Sequence, residues 1–305
     1  MAADTQKGAT RPERGSALSE ALDDVTLPAC LRRPANLLAE CEPLAARGGR
    51  AGVLILHGLT GSPWEVRPLA EACVAAGFSV AMPLLPGHGT AVADLDRTRW
   101  PDWLAAAREA LAWLADGCDR VHLAGMSMGA LLSLELERGG TPVPVRSLLL
   151  LAPAMGLPPA TAFGVRVLAR LGTPRTVGKG PVSLPGVSET PGYRSMPLAP
   201  IDSLLDLMAR VRARRNPLPL PTLVLHGTED RTIPYAIGRA GVTPLLGPLG
   251  IFVPIEGAGH LLLRTVQGPE VLRRCLQALR TLEPYGPQVA GAVPLRPGSA
   301  SAATR

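Results

Sequence analysis

The sequence is poor in aromatic side chains and almost devoid of lysine. Phenylalanine, tyrosine and tryptophan together make up 3% of its 305 residues, and only two of its 31 basic residues, Lys7 and Lys179, are lysines. The arginines behind the net charge of +6 are scattered along the chain and form no basic stripe. A nucleic-acid-binding surface needs a concentrated basic face and usually stacking rings. We therefore expect no nucleic-acid partner.

Cysteine is also scarce. The cysteines are odd in number and include no C-x-x-C pair, which argues against a disulfide framework and against a structural zinc site. No cluster of histidines and carboxylates has the spacing of metal ligands, so we expect neither a metal nor another cofactor. Reduced thiols are typical of a cytoplasmic protein, and we predict that location. The cysteines are Cys30, Cys41, Cys73, Cys118 and Cys275.

Long apolar runs are absent as well. No stretch of about 20 apolar residues could span a bilayer, and residues 1–20 lack the apolar core of a secretion signal, so we expect no transmembrane segment. Small and polar residues dominate both ends, and residues 1–28 and 286–305 are predicted to be disordered tails. The hydrophobic content of 47% lets residues 29–285 form one large core in a single domain.

The most informative motif present is the pentapeptide Gly125-Met126-Ser127-Met128-Gly129, a G-x-S-x-G sequence. It follows the apolar run Val121–Ala124 and precedes a helical pattern over Ala130–Glu137. A very tight turn from strand to helix strains its central residue, and glycine on either side avoids clashes. The turn also sets the hydroxyl at a helix N-terminus, where a developing negative charge is favoured. The motif therefore predicts that Ser127 is a nucleophile.

A nucleophilic serine needs a base to take its proton and a third group to orient that base. The apolar run at residues 222–226 leads to Asp230, and the run at residues 251–255 leads to a glycine-rich loop that contains His260. We predict that His260 is the general base and that Asp230 is the acid. Glu229 is an alternative acid, because its carboxylate could also bind an imidazole.

The other four histidines fit the role of base less well. His57 and His226 each precede a glycine at the end of a predicted strand and are expected to brace loops. His122 lies inside a predicted strand, where a packed side chain is expected. His88, in Pro-Gly-His-Gly, is expected to structure a loop beside the site.

Acyl transfer also needs hydrogen-bond donors for the negative charge that develops on the carbonyl oxygen. Two backbone N–H groups aimed at that oxygen can each lower the barrier by about 3 kcal/mol. The apolar run at residues 53–57 is followed by a glycine-containing loop, and the geometry of such loops implicates the N–H groups of Leu59 and Met128. These two amides form the predicted oxyanion hole.

Taken in order, these motifs resemble those of a serine α/β-hydrolase of the carboxylesterase and monoacylglycerol lipase branch. The resemblance covers most of the chain between residues 53 and 260. It implies an α/β fold with a mostly parallel central sheet, helices on both faces and a small cap insertion. It also implies hydrolysis of carboxylic esters, with the predicted nucleophile, acid and base in the triad roles. The matching residues are His57–Ser62, Pro86–Thr90, Trp100–Trp103, Gly125–Gly129, Asp230 and Gly259–His260.

Short apolar runs without strict alternation recur along the chain and are separated mostly by segments of helix length. This pattern is typical of a parallel sheet covered on both faces. Helical spacing of apolar residues predicts helices over residues 103–114 and 271–282. Residues 155–215 interrupt the alternation, and we expect a cap there with one amphipathic helix over residues 201–211. The predicted strands are 53–57, 79–82, 121–124, 147–151, 222–226 and 251–255.

The predicted cap and the neighbours of the nucleophile are apolar. The expected partner is therefore a small-molecule ester with a short-to-medium aliphatic acyl chain, such as a monoglyceride. A thioesterase, a lactonase or an acyltransferase with the same triad, and a non-catalytic lipid-binding protein, are the alternatives. The sequence indicates no oligomeric state. The predicted pocket residues are His88, Met126, Leu205 and Met208.

Overall fold

Seven strands of the described chain form one sheet whose order is β1-β3-β2-β4-β5-β8-β9. A computed structural model describes residues 27–172, 176–178, 191–214 and 216–282. Strand β1 is antiparallel to β3, and the other neighbours in this sheet are parallel. The strands are β1 (Leu44–Ala46), β2 (Ala51–Leu56), β3 (Ser79–Met82), β4 (Arg120–Met126), β5 (Val145–Leu151), β6 (Thr176–Gly178), β7 (Ser195–Pro197), β8 (Thr222–Gly227) and β9 (Gly250–Ile255).

The six predicted strands correspond to β2, β3, β4, β5, β8 and β9, and the predicted mostly parallel sheet is confirmed. Strand β1 was outside the prediction because it has only three residues, all of them half-buried. The helices are α1 (Arg67–Ala75), α2 (Val92–Asp96), α3 (Trp100–Ala115), α4 (Met128–Arg138), α5 (Pro159–Leu171), α6 (Leu198–Ala213), α7 (Tyr235–Val242) and α8 (Gly268–Thr281).

The predicted helices over 103–114 and 271–282 correspond to α3 and α8. Helix α3 begins with proline in its first turn, where the missing N–H costs nothing. The Asp102 carboxylate accepts the Arg99 backbone N–H at 2.8 Å and closes this N-terminus. Helices α1, α2 and α7 lie outside the predicted set.

Apolar side chains are buried on both faces of the sheet. On β2, Leu54 and Leu56 join a cluster with residues of α3, α4 and α6, whereas Val53 and Ile55 join a second cluster with residues of α1 and α8. Burying one such side chain contributes roughly 1.5–3 kcal/mol. Because both faces are covered, the strands read as continuous apolar runs.

The described part of the cap contains two helices, so the prediction of a single amphipathic helix was incomplete. Helix α5 was not predicted, since proline and glycine are weak helix formers, but only one glycine, Gly164, lies inside it. Pro159 occupies its first turn and Gly172 ends it with a φ of 70°, which are the positions that these residues favour in helices. Helix α6 includes the whole predicted segment. Strands β6 and β7 add a short antiparallel ribbon.

Ion pairs fasten the cap helices to each other and to the core. The Arg166 guanidinium on α5 lies 2.7 Å from the Asp202 carboxylate on α6. The Arg210 guanidinium on α6 lies 2.7 Å from the Glu135 carboxylate on α4, and Glu135 is only 2% exposed. The Ser203 hydroxyl on α6 also accepts the N–H that begins α3, at 2.9 Å. Helix α6 is therefore bound to two core helices.

The predicted tails fall almost entirely outside the described residues. Only Leu27 and Pro28 of the predicted first tail are described, and the Pro28 carbonyl accepts the Leu31 N–H at 2.9 Å. Among the helices described between residues 27 and 282, none has both the length and the hydrophobicity needed to cross a membrane.

Candidate active site

The predicted nucleophile lies in the tight turn between β4 and α4. Ser127 has a φ of 55° and a ψ of −114°, a region that side chains other than glycine rarely occupy. The turn needs its glycines, because a Cβ at Gly125 would lie 2.2 Å from the Gly129 carbonyl oxygen. A Cβ at Gly129 would lie 2.2 Å from the Leu56 carbonyl oxygen. Ser127 is only 7% exposed, so little of this strained residue is accessible to solvent.

This geometry gives a prediction about stability. We expect Gly129→Ala to lower the free energy of unfolding by about 3 kcal/mol. The new methyl group would overlap the Leu56 carbonyl, which belongs to the central strand β2 and cannot move away as a flexible side chain could. The matched control is Gly164→Ala in α5, where a Cβ meets nothing within 4 Å and helix propensity favours alanine. Urea unfolding of both variants measures the difference. Equal midpoints for the two variants would contradict the crowded turn.

The predicted acid and base are in direct contact. The His260 Nδ1 lies 2.7 Å from the Asp230 Oδ2, while the Asp230 Oδ1 accepts the N–H groups of Thr232 and Ile233 at 2.8 and 2.9 Å. Burial disfavours the ionised carboxyl, but hydrogen bonds from His226, His260 and the Ile233 amide outweigh burial and hold the pKa of Asp230 below its usual range. The carboxylate can therefore stay ionised while it holds the imidazole.

Strand direction brings the three predicted triad residues to one edge of the sheet. Ser127, Asp230 and His260 follow the carboxyl ends of β4, β8 and β9, and parallel strands end at the same edge. The backbones of the last two loops approach closely, because a Cβ at Gly227 would lie 2.2 Å from the Ala258 carbonyl oxygen. That close approach sets the carboxylate beside the imidazole.

The alternative acid faces solvent. Glu229 is exposed, and its backbone N–H donates to the Ala258 carbonyl at 3.0 Å. Glu256, which lies four residues before His260, is also exposed, and its Oε2 is 3.3 Å from the Thr228 hydroxyl. The hydrogen bond from His260 goes to Asp230, as preferred from the sequence.

The loop after β2 is held by a buried neutral histidine. The His57 Nδ1 donates to the Gly58 carbonyl at 2.9 Å, and the Leu85 N–H donates to the His57 Nε2 at 3.1 Å. Burial lowers the pKa of His57 well below its usual range, and the neighbouring His88 lowers it further. The ring is therefore neutral and carries its one proton on Nδ1. His57 therefore braces this loop, as its position before a glycine suggests.

The predicted oxyanion amides are available as donors. Neither the Leu59 nor the Met128 N–H donates to a backbone carbonyl within the described part of the chain. The preceding amide, of Gly58, donates at 3.2 Å to the Oε2 of Glu65, a buried carboxylate that sequence patterns did not single out. Only the fold reveals this contact, because it depends on how the loop after β2 brings Glu65 back to the Gly58 amide.

Two predicted pocket residues are packed in the interior. His88 is buried with its Nδ1 3.0 Å from the Pro86 carbonyl, and its ring contacts His57 and Trp103 edge-on. Met126 belongs to the apolar cluster shared with α1 and α8. These positions give no support to substrate contact by either residue, and that role stays a prediction.

The other two predicted pocket residues share a cavity. Leu205 and Met208 on α6 line a space of about 470 Å³ between the two cap helices, together with apolar side chains of α5 and with Arg166 and Arg212. Gly156 also lines this cavity. It lies two residues beyond Ala154, whose N–H donates to the Ser127 carbonyl at 3.2 Å. Since two residues span about 7 Å at most, one end of the cavity lies near the nucleophile.

The described residues include no group of three or more histidine, cysteine, aspartate or glutamate side chains arranged to hold a metal ion. All five cysteines are free thiols and buried. Burial raises the pKa of the Cys73 and Cys275 thiols, the latter to about 12, so neither is an activated nucleophile.

Comparisons with known proteins identify similar sequences. A sequence profile described as "Alpha/beta hydrolase family" matches residues 53–273. The chain is 35% identical over 205 residues to the thermostable monoacylglycerol lipase of Bacillus sp. (strain H-257). This match covers 65% of this chain and 78% of that protein. It is 28% identical over 195 residues to a carboxylesterase of Bacillus subtilis (strain 168), covering 63% of this chain and 77% of that protein.

Solved structures show the same fold. A structure from work on LipS and LipT, two metagenome-derived lipolytic enzymes, has a TM-score of 0.72 at 26% identity and covers 80% of this chain and 99% of its own. The monoacylglycerol lipase of Paleococcus ferrophilus has a TM-score of 0.67 at 20% identity and covers 79% of this chain and 99% of its own.

Proposed function

Because the chain belongs to the alpha/beta hydrolase family and is a carboxylic ester hydrolase of the esterase and lipase type, we propose that it cleaves aliphatic esters through an acyl-enzyme on Ser127. His260 serves as general base and acid, and Asp230 orients its imidazole. The observation that carries this proposal is the strained Ser127 at the same sheet edge as the 2.7 Å contact between His260 and Asp230.

The reaction has two halves that use the same groups. In the first, the Ser127 oxygen forms a bond to the ester carbonyl carbon while its proton passes to the His260 Nε2, and the Leu59 and Met128 amides bind the oxyanion. The carbon–oxygen bond to the alcohol then breaks, and the alcohol leaves with the proton from His260. In the second half, a water attacks the acyl carbon and gives His260 a proton. That proton returns to Ser127 as the acid is released.

Chain-length preference tests the proposed substrate class. We expect kcat/KM for nitrophenyl esters to peak at a short-to-medium acyl chain in a series from acetate to palmitate. Each methylene buried in an apolar pocket improves the free energy of binding by about 0.8 kcal/mol, until the pocket is full. A flat profile, or activity confined to aromatic acyl groups, would contradict the proposal. Faster turnover of matched thioesters would replace the esterase with a thioesterase that uses the same triad.

The cap cavity gives a sharper form of this test. We expect Leu205→Ser and Met208→Ser to lower kcat/KM for the preferred chain by about tenfold and to leave the acetate ester nearly unchanged, since only the longer chain loses apolar contact. The matched control is Leu249→Ser, an exposed apolar residue just before β9, at the opposite edge of the sheet from the triad. An unchanged chain-length preference in both cap variants would remove the cavity from the acyl-binding site.

A further inference from the structure

A second histidine lies against the acid of the proposed triad. His226 is the next-to-last residue of β8 and is 0% exposed. Its ring packs against the rings of Tyr235 and Phe252, at centroid distances of 6.0 and 6.5 Å, and those two rings also contact each other at 5.9 Å. Gly238 on α7 leaves room for the ring, because a Cβ there would lie 2.2 Å from the His226 Cε1. The imidazole is therefore fixed in one place.

The proton on this ring can be assigned from its contacts. The His226 Nε2 lies 2.9 Å from the Ile233 carbonyl oxygen and 3.3 Å from the Asp230 Oδ2, and both are acceptors. The Nε2 atom must therefore carry the proton and share it between them. The Nδ1 atom is buried without a hydrogen-bond partner in the described structure, so the ring is held through Nε2 alone.

The four contacts of the Asp230 carboxylate are divided between its two oxygens. Two backbone amides bind Oδ1, and the two imidazoles bind Oδ2 from different sides. We propose that His226 is a positioning residue of the ester hydrolase, which through its Nε2–H fixes the rotation of the Asp230 carboxylate and limits how strongly Oδ2 attracts the proton of His260. This inference rests on the proposed roles of Asp230 and His260.

Removal of the His226 donor has two expected consequences. The carboxylate loses one of its two Oδ2 contacts, so it holds the His260 ring less firmly. The remaining charge on Oδ2 also acts more strongly on His260, which favours the imidazolium and keeps the base protonated to higher pH. The only titratable side chain with a described ring contact to His226 is Tyr235 on α7. Glu229 and Arg231, on either side of Asp230, are exposed, and so is Glu256 in the loop that contains His260.

The test compares two substitutions of the same residue in the full-length protein. His226→Leu keeps much of the volume and removes the donor, whereas His226→Gln keeps an amide N–H at the reach of Nε2. The matched control is His122→Leu, which removes another buried strand histidine, five residues before Ser127 and hydrogen-bonded to the Ser147 hydroxyl at 2.8 Å. The measurements are circular dichroism, urea unfolding, and kcat and KM for a soluble nitrophenyl ester from acid to alkaline pH.

We expect His226→Leu to lower kcat by about tenfold with KM within about twofold, the size of one hydrogen bond to a charged group. The acidic limb of its kcat/KM profile should move to higher pH. His226→Gln should restore most of kcat and the original limb, and His122→Leu should change stability without moving the limb. Equal losses in the Leu and Gln variants, or an unmoved limb in His226→Leu, would overturn the positioning role.

A second readout does not depend on turnover. The low-field proton resonance of the His260 Nδ1–H reports its hydrogen bond to Asp230 in the resting protein. This resonance should shift in His226→Leu and persist in His226→Gln. Gly238→Ala, which crowds the ring without removing it, should also shift the resonance. A wild-type protein without ester turnover would defeat the proposed function, whereas a resonance that stays unshifted in both His226→Leu and Gly238→Ala would defeat the role of His226.

Discussion

Replacement of Ser127 by alanine is expected to lower kcat for ester hydrolysis by about a millionfold. The proposed mechanism forms its covalent bond through the Ser127 oxygen, and alanine leaves no atom to take that place. The activity that remains should be the small part supplied by oxyanion donors and binding alone, which is about 10³-fold over water in comparable triads. Because alanine is smaller than serine, the folded protein should keep its circular dichroism spectrum.

The comparison variant for this prediction is Ser133→Ala. Ser133 is buried six residues further along the chain in α4, where its hydroxyl donates to the Gly129 carbonyl at 2.9 Å. We expect kcat of this variant to stay within about threefold of the wild type. A fluorophosphonate probe should label the wild type and Ser133→Ala, but not Ser127→Ala. Retained labelling or turnover in Ser127→Ala would show that another group carries the acyl chain.

The second large effect is expected at the acid. Asp230→Asn should lower kcat by about 10⁴-fold, because an amide can present N–H to the His260 Nδ1 and so favour the wrong tautomer of the base. Asparagine has the same shape, so the contacts of Oδ1 with the Thr232 and Ile233 amides can persist. The loss should therefore appear in kcat and in the rate of probe labelling, with little change in secondary structure.

The neighbouring carboxylate provides the control. Glu229→Gln removes an exposed charge beside the same turn and should leave kcat within about twofold of the wild type. A larger loss in Glu229→Gln than in Asp230→Asn would reverse the assignment of the acid. Urea unfolding of both variants separates a catalytic loss from a loss of folded protein.

Much of the sheet and the proposed triad could be predicted from sequence because both follow from local patterns. Continuous apolar runs identify strands that are buried on both faces, and glycines at Gly125 and Gly129 reveal a turn that tolerates no side chain there. Parallel strands then end at one edge, so residues that follow β4, β8 and β9 are close in space whatever their separation along the chain. Asp230 was preferred to Glu229 for its position, and the hydrogen bond from His260 agrees.

The remaining features depend on contacts that local patterns do not record. Helix α5 was not predicted, since proline and glycine are weak helix formers, although Pro159 lies in its first turn and Gly172 ends it. Glu65 approaches the Gly58 amide only through the fold of the loop after β2. His226 was expected to brace a loop, and nothing in its sequence neighbourhood reveals that its ring reaches the same carboxylate oxygen as His260.

The two arginines that face Glu135 bear on how a substrate enters and a product leaves. The Arg210 and Arg214 guanidinium groups lie 2.7 and 3.3 Å from the Oε2 of this buried carboxylate. If α6 swung outward, Glu135 would be left in an apolar interior without its counter-charges, which costs about 3–5 kcal/mol. No ion pair of this kind ties α5 to the core in the described structure. Helix α5 is instead tied to α6 through Arg166, so we expect α6 to hold the cap against the core while a substrate enters or a product leaves.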